Sequence, residues 1–466
     1  MGDFTTDYLI VGAGAMGLAF ADTLLAELPD VSITIVDRHA KPGGHWNDAY
    51  PFVTLHQPSA YYGVASLPLG SGQIDSHGLN AGLYELASGP EVSAYYEHVM
   101  NRVLLPSGRV RYLPMSDYKG DGRIVSLISG AETRVEIARK TVDSTYLGTS
   151  VPSTHTRKFT VADGVRIMPP NDLPHLWRAP DAMPRHFTVL GAGKTGMDTI
   201  IFLLNAGATP DMISWVAPRA SWFYNRKSIQ PGAVFFERTL GAALKMRQAI
   251  GEASDASDMF LRMEACGWMH RISRDVLPTM FHYAVSSEAE IALLRRVTDV
   301  IRQGRVLALE PEWMVMEHGT RATAPGTLFI DCTATAVERR PPVPVFQPGL
   351  IVPQMVRMPQ PAFSAALIAW VEAHVDGEAA QNALTRAVPL PDTIQEFARA
   401  ELVNIGNEGK WSANPAMRAW IDNCRLDSMG KEIRRVTPAD TDKMAILMQM
   451  MPATMAAAAN LQRLTA

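Results

Sequence analysis

The chain has 466 residues, 47% of them apolar and 19% charged, enough for an extensive core and, at the usual domain size, about three domains. A net charge of −4 gives no electrostatic reason to expect nucleic acid or an anionic membrane surface as a partner. Cys266, Cys332 and Cys424 lie far apart, forming neither a disulfide framework nor a C-x-x-C pair, so a reducing, cytoplasmic setting is expected.

Residues 8–11 (Tyr-Leu-Ile-Val) read as a buried parallel strand. Gly12-Ala13-Gly14-Ala15-Met16-Gly17 then fits G-x-G-x-x-G, and Leu18, Ala21, Leu24, Leu25 and Leu28 fall on one helical face. Each glycine has its own mechanical role. Gly12 allows the tight turn, Gly14 admits a pyrophosphate to the backbone, and Gly17 lets helix and strand pack closely. The diphosphate is expected on the helix N-terminus, where free N–H groups and the dipole favour an anion. A second strand, residues 33–36, ends at Asp37, about twenty residues on, where an acid should accept hydrogen bonds from a ribose. No charged, apolar leader stands before the first strand, and no run of about 18 apolar residues suggests a membrane span. Met1-Gly2-Asp3-Phe4-Thr5-Thr6 fits the loose myristoylation pattern and is read as chance.

After a loop at residues 38–44 come His45-Trp46 and an aromatic segment, residues 50–62. Residues 91–104 read as a helix, and 110–113, 123–128 and 133–138 as short strands separated by glycine turns. Residues 142–148 look like another buried strand and its exit, followed by a proline-containing linker at about 151–185. A second nucleotide signature begins at the strand 187–190. Gly191-Ala192-Gly193-Lys194-Thr195-Gly196 is its loop, and Met197, Ile200, Ile201 and Leu204 face inward from its helix. A Walker loop would need glycine at position 188, where Thr188 stands. The next strand, 213–216, runs into Pro218-Arg219 rather than an acid. A cation there suits a 2′-phosphate, hence NADPH, with Arg226 and Lys227 in reserve.

Residues of about 221–302 read as a helical insertion rich in methionine and aromatic side chains, packed as core or lining an adaptable pocket. Residues 305–309 and 328–332 read as strands, the second ending Asp331-Cys332-Thr333-Ala334. A helix is expected at 363–374, and helices from about 391 onward, with Trp411 and Trp420 in a turn-rich patch. No clusters with metal-ligand spacing are present. The expected fold class is α/β, with two Rossmann-like dinucleotide-binding domains, a helical insertion and a helical C-terminal region. Its expected divisions are a first domain at 1–150 and 322–390, a second at 151–321, and the C-terminal region at 391–466.

The N-terminal unit resembles the FAD domain of the two-dinucleotide-domain flavoproteins. Gly43-Gly44-His45-Trp46 looks like the Gly-Gly-x-Trp segment of flavin-containing and Baeyer–Villiger monooxygenases. The run from Val189 to Asp198 resembles their NADPH segment, and Ser144-Thr145 and Thr333-Ala334-Thr335 resemble their hinges between domains. The resemblance covers roughly residues 7 to 375 in architecture. It implies FAD on Gly12, Gly14, Gly17, Asp37, Arg38, Gly44 and Trp46, and NADPH on Gly191, Gly193, Lys194, Thr195, Gly196 and Arg219. It also implies that NADPH reduces FAD and that the reduced flavin forms a C4a-(hydro)peroxide with O2, oxygenating a small to medium apolar organic compound. Thr54-Leu55-His56-Gln57-Pro58 occupies the place where these enzymes carry an asparagine near the flavin's reactive edge, so His56 or Gln57 is the candidate hydrogen-bond donor. One departure stands out: the Phe-x-Gly-x-x-x-His fingerprint is absent, and residues 165–175, ending at His175, stand in its place. A flavin reductase or oxidase without oxygen transfer is therefore a second reading, and a non-catalytic FAD-binding protein a third. The expected partners are the organic substrate and O2, without nucleic acid or membrane. Oligomeric state stays open, a homodimer being one option.

Overall fold

Residues 3–178, 183–427 and 429–466 are described by the structure, a computed structural model. The apolar run at the start forms β1 (Phe4–Val11), which feeds the glycine turn and α1 (Ala15–Glu27); β2 (Ile33–Val36) follows, buried along its length. Ser88 and Glu91 form a capping box that starts α2 (Gly89–His98). Next come β3 (Val110–Leu113), β4 (Ser116–Tyr118), β5 (Arg123–Ser126) and β6 (Glu132–Asp143). The strands expected at 133–138 and 142–148 are thus one 12-residue strand. Its first half alternates in exposure as part of the β4–β5–β6 meander, and its second half enters the parallel sheet beside β1.

The segment expected to be a linker instead contributes β7 (Thr160–Val161), β8 (Arg166–Met168) and the short α3 (Leu173–Leu176); its residues 179–182 lie outside the described residues. The second nucleotide unit is β9 (Phe187–Leu190), α4 (Lys194–Asn205) and β10 (Ile213–Val216). The insertion is mixed rather than helical: β11 (Ser221–Asn225), α5 (Phe236–Glu252), α6 (Ala256–Ala265), β12 (Met269–Arg271), β13 (Met280–Ser286) and α7 (Glu288–Leu294). Its strands are aromatic-rich and buried on both faces, so they carry no alternating pattern to distinguish them from helix. Met246, Met259, Met263 and Met269 are core there, packed with Trp222, Phe260 and Phe281. β14 (Val300–Ile301), β15 (Val306–Leu309), β16 (Trp313–Met316), β17 (Gly319–Ala322) and β18 (Leu328–Asp331) complete this half.

The chain then returns through β19 (Phe346–Gln347) and β20 (Leu350–Ile351) to α8 (Pro361–His374), whose residues 362–371 are all buried, packed against α1. The rest is helical: α9 (Glu378–Leu384), α10 (Ile394–Ala413), α11 (Pro415–Asn423), α12 (Gly430–Arg434) and α13 (Thr441–Thr465). Trp411 and Trp420 sit within α10 and α11, packed on Phe363, not in turns. α13 runs along α5. With a mean hydropathy of 1.3 it is long and apolar enough, by length and composition alone, to cross a membrane, although Gln449, Thr454 and Asn460 interrupt it and leave no run of about 18 apolar residues. Its methionines and alanines, not a run of aliphatic residues, make it so.

Two parallel sheets organise everything else. The first runs β20-β6-β1-β2-β3, the second β14-β10-β9-β18-β8, and both reverse direction of growth between the first strand and its crossover partner. That reversal opens a crevice at the carboxyl ends of β1/β6 and of β9/β18, the place where such sheets bind ligands. β18 belongs to the second sheet, paired with β9 and β8, so the boundary expected at residue 322 is corrected: the return to the first sheet follows β18, through residues 332–345.

Candidate functional site

The first glycine loop divides its labour residue by residue. Gly12 has φ +99°, and a Cβ there would lie 2.8 Å from Ser144 Oγ. A Cβ on Gly17 would lie 2.1 Å from the Gly12 carbonyl oxygen, so α1 can pack only with glycine there. Gly14 is different: its Cβ would meet just the Gly44 Cα, at 3.7 Å. It caps α1 without a side-chain hydrogen bond, leaving the helix N–H groups facing open backbone. The Gly43-Gly44 turn closes over this loop, with Gly43 N–H donating to Ala13 O at 2.8 Å and Gly44 at φ +57°. Trp46 walls it, its Nε1–H donating to Tyr62 Oη at 2.9 Å, and Tyr62 in turn meets Tyr96 edge to face. His45 lies against Trp46, and burial pulls its pKa to about 4, so it is neutral.

Asp37 ends β2 buried, with both oxygens already engaged. Oδ2 accepts Ala13 N–H at 2.6 Å, while Oδ1 accepts His39 N–H at 2.7 Å and faces His39 Nδ1 at 2.9 Å. A ribose hydroxyl would have to take the remaining lone pairs; Arg38, the next residue, is exposed. His39, missed in the sequence, bridges Asp37 to Asp48 through Nε2 at 2.8 Å. The hydrogen bond to Asp37 leads in raising it to about 9, against an opposing effect of burial. The signal was there: a histidine two residues past the acid, at hydrogen-bonding distance from it in a turn.

The second loop repeats the first in mechanical detail. Gly191 has φ +117°, with a Cβ position 2.5 Å from Cys332 O; a Cβ on Gly196 would lie 2.2 Å from Gly191 O; Gly193 has nothing within 4 Å. The two facing strand exits are also copies. Asp143 Oδ1 accepts Thr145 N–H and Oγ1–H at 2.9 and 2.6 Å, and Asp331 Oδ1 accepts Thr333 N–H and Oγ1–H at 3.1 and 2.6 Å. Lys194 does not face the open backbone alone: its ammonium pairs with Asp198 one turn along α4, whose other oxygen accepts Tyr50 Oη–H at 2.8 Å. The Thr195 hydroxyl also reaches Tyr50.

At the end of β10, half-exposed Arg219 reaches Asp392 Oδ2 at 3.4 Å. Asp392 also holds Arg339 at 2.9 Å and His282 at 2.6 Å, a convergence of groups far apart in the chain that sequence reading did not find. Neither reserve cation is placed for a 2′-phosphate: Arg226 is wholly buried, and Lys227 pairs with Glu288. His175, at the position of the missing fingerprint, is an exposed residue of α3.

His56 sits where three units meet. Arg226, from the insertion, donates from Nε to His56 O at 2.9 Å, from Nη1 to Asn80 Oδ1 at 3.2 Å, and from Nη2 to both oxygens of Glu290 at 3.0 and 2.9 Å. Val285 N–H donates to His56 Nδ1 at 3.1 Å. Burial foremost, then Lys194 and Arg226, push the imidazole down to about 3, so it is neutral at physiological pH. With Nδ1 fixed as acceptor, the single ring proton is assigned to Nε2. Among the described residues neither that N–H nor the Gln57 side-chain amide has a protein partner. The arrangement therefore presents a fixed neutral donor at the contact between the nucleotide domains. Tyr50, Asn80, Asp198, Val285 and Glu290 build it; only Asp198 lies within one of the sequence motifs.

One chain thus holds two Rossmann-like dinucleotide folds, each with an open glycine loop at its sheet's reversal point. Residues 10–64 match the NAD(P)-binding Rossmann-like domain family. The uncharacterized protein Rv2000 of Mycobacterium tuberculosis is 43% identical over 425 residues, covering 91% of this chain and 77% of that one, and the chain belongs to its family. FAD-dependent monooxygenase resA of Aspergillus sclerotiorum is 24% identical over 217 residues, 44% of this chain and 36% of that one. Among solved structures, a variant of the flavin monooxygenase from Stenotrophomonas maltophilia superposes with a TM-score of 0.46 at 14% identity, covering 80% of this chain and 99% of that one.

Proposed function

We propose that the first glycine loop holds FAD and the second NADPH, and that the protein is a monooxygenase acting on a small to medium apolar organic compound with O2. The reading rests on one observation: both loops leave their middle glycine, Gly14 and Gly193, open to an approaching diphosphate at a sheet reversal point. When bound, the cofactors supply hydride transfer from nicotinamide to flavin and electron transfer from flavin to oxygen. The chain's own part is to bind and orient them, to keep the domain contact dry, and to hold a proton at His56 Nε2. A neutral donor fixed by Val285 and Arg226 can stabilise a developing oxyanion without itself releasing a proton. Cytoplasmic residence is part of this reading, in keeping with three free cysteines.

His56→Ala should leave NADPH-driven flavin reduction within about twofold, lower coupled product formation by about a hundredfold, and raise hydrogen peroxide release in proportion. Stopped-flow spectra with a peroxide assay check this; a slower reduction step with coupling intact would remove His56 from the oxygen-reacting place. A reductase or oxidase without oxygen transfer is the second reading, favoured by the exposed position of His175 where the fingerprint histidine would stand. Peroxide equal to NADPH consumed with every apolar substrate offered would establish it.

Coenzyme choice should follow Arg219. Half exposed and already facing Asp392, it is worth about 1 kcal/mol to a 2′-phosphate, roughly fivefold in affinity. Arg219→Ala should raise KM for NADPH by about that factor and leave KM for NADH unchanged. Wild-type protein using both coenzymes equally would contradict the assignment.

A further inference from the structure

A cleft of about 620 Å³ is lined by residues 342–345 leading into β19, by the connection between α9 and α10, by α10 itself and by the end of α13. No residue of either glycine loop or of the His56 cluster lines it. Its size is that of a small-molecule site. Arg399, Leu402 and Val403 stand at i, i+3 and i+4, so one face of α10 presents a guanidinium beside two apolar side chains. Pro342 and Pro344 continue the apolar lining, Asn382, Thr385 and Thr465 also line the cleft but donate to the backbone carbonyls of Phe346, Gln381 and Leu461, and Arg386 enters from the loop after α9. Both guanidiniums are exposed, and among the described residues neither has a carboxylate within ion-pair distance, unlike Arg219, Arg226, Arg247 and Arg357.

Two uncommitted guanidiniums over an apolar lining select a particular chemistry. A guanidinium fork matches the two oxygens of a carboxylate, whereas the prolines, Leu402 and Val403 offer nothing to a polar body. We propose that this cleft binds an amphipathic carboxylate, its hydrocarbon on Pro342, Pro344, Leu402 and Val403 and its head met by Arg386 and Arg399. The site needs neither cofactor, so it stands apart from the monooxygenase reading.

The test is a fluorescence titration of the full-length protein with a dansyl-labelled undecanoic acid, displaced by decanoate and separately by decanol. Saturable one-to-one enhancement is expected. In the double variant Arg386→Ala/Arg399→Ala, decanoate should displace about tenfold less well, two exposed charge pairs being worth roughly 1.4 kcal/mol together, while decanol should compete as in wild type. Leu402→Glu, which sets a carboxylate into the apolar wall, should abolish both. Leu402 also packs against the insertion core, so a thermal melt accompanies that variant, and the two exposed arginines decide the matter if it fails to fold. Absence of saturable binding to wild type, decanoate affinity unchanged in the double variant, or decanol weakened as much as decanoate would each overturn the proposal.

Discussion

Gly14→Val should yield a folded, colourless protein. The backbone there, at φ −84° and ψ −174°, is extended, so valine brings no dihedral strain. Its Cβ has room, 3.7 Å from the Gly44 Cα. What the isopropyl group fills is the space in which a diphosphate would reach the first N–H groups of α1, losing both the hydrogen bonds and the helix dipole. Flavin occupancy should fall at least a hundredfold in apparent affinity, on the order of 3 kcal/mol, while the circular dichroism spectrum and melting temperature of cofactor-free protein stay close to wild type. Gly17→Ala is the contrasting control. Its Cβ would stand 2.1 Å from Gly12 O, so that change should damage the fold itself. Full visible flavin absorbance in Gly14→Val would mean that FAD is held elsewhere.

Arg226→Ala should be the most destabilising single change among those considered, at about 3–5 kcal/mol. The side chain has no exposed surface and satisfies Glu290, Asn80 and the His56 carbonyl at once. Removing it leaves a carboxylate with little solvent access facing a void, and the desolvation already incurred is then uncompensated. Arg226→Met with Glu290→Met replaces the pair by apolar volume and should recover most of the loss. Urea titrations of the three proteins provide the check. A single variant with wild-type midpoint and slope would show that the ion pair carries little of the junction between insertion and first domain.

The fold class was legible because its evidence is local. Strand, glycine turn, helix and strand follow one another within about thirty residues in each unit, and the contacts that require Gly17 and Gly196 lie within that span, with the Gly12 and Gly191 carbonyls. What escaped the sequence depends on partners far along the chain. β18 reads as an isolated apolar strand, and only its pairing with β9 and β8 assigns it to the second sheet. Arg226 reads as a reserve cation for a 2′-phosphate after β10, yet its partners lie 64, 146 and 170 residues away. Lys194 reads as a phosphate ligand because of its loop position, whereas the helix geometry places Asp198 one turn on to receive it. β11 and β13 are hidden by composition: buried on both faces, they lack the alternation that marks a strand.

The paired strand exits have a mechanical consequence. The chain passes from one nucleotide domain to the other twice, and the two connections run side by side. Glu338 N–H donates to Leu147 O at 3.0 Å, Tyr146 Oη–H to Pro341 O at 2.8 Å, and Ser150 Oγ–H to Thr335 O at 2.8 Å. Two adjacent ribbons tied together define a line about which the domains can swing, as a door does on its pins, while they resist shear and twist across it. Tyr50 and Asp198 are joined across the domain contact, as His56 is to Arg226 and Val285, so opening about the pins must part these hydrogen bonds together and closing re-forms them.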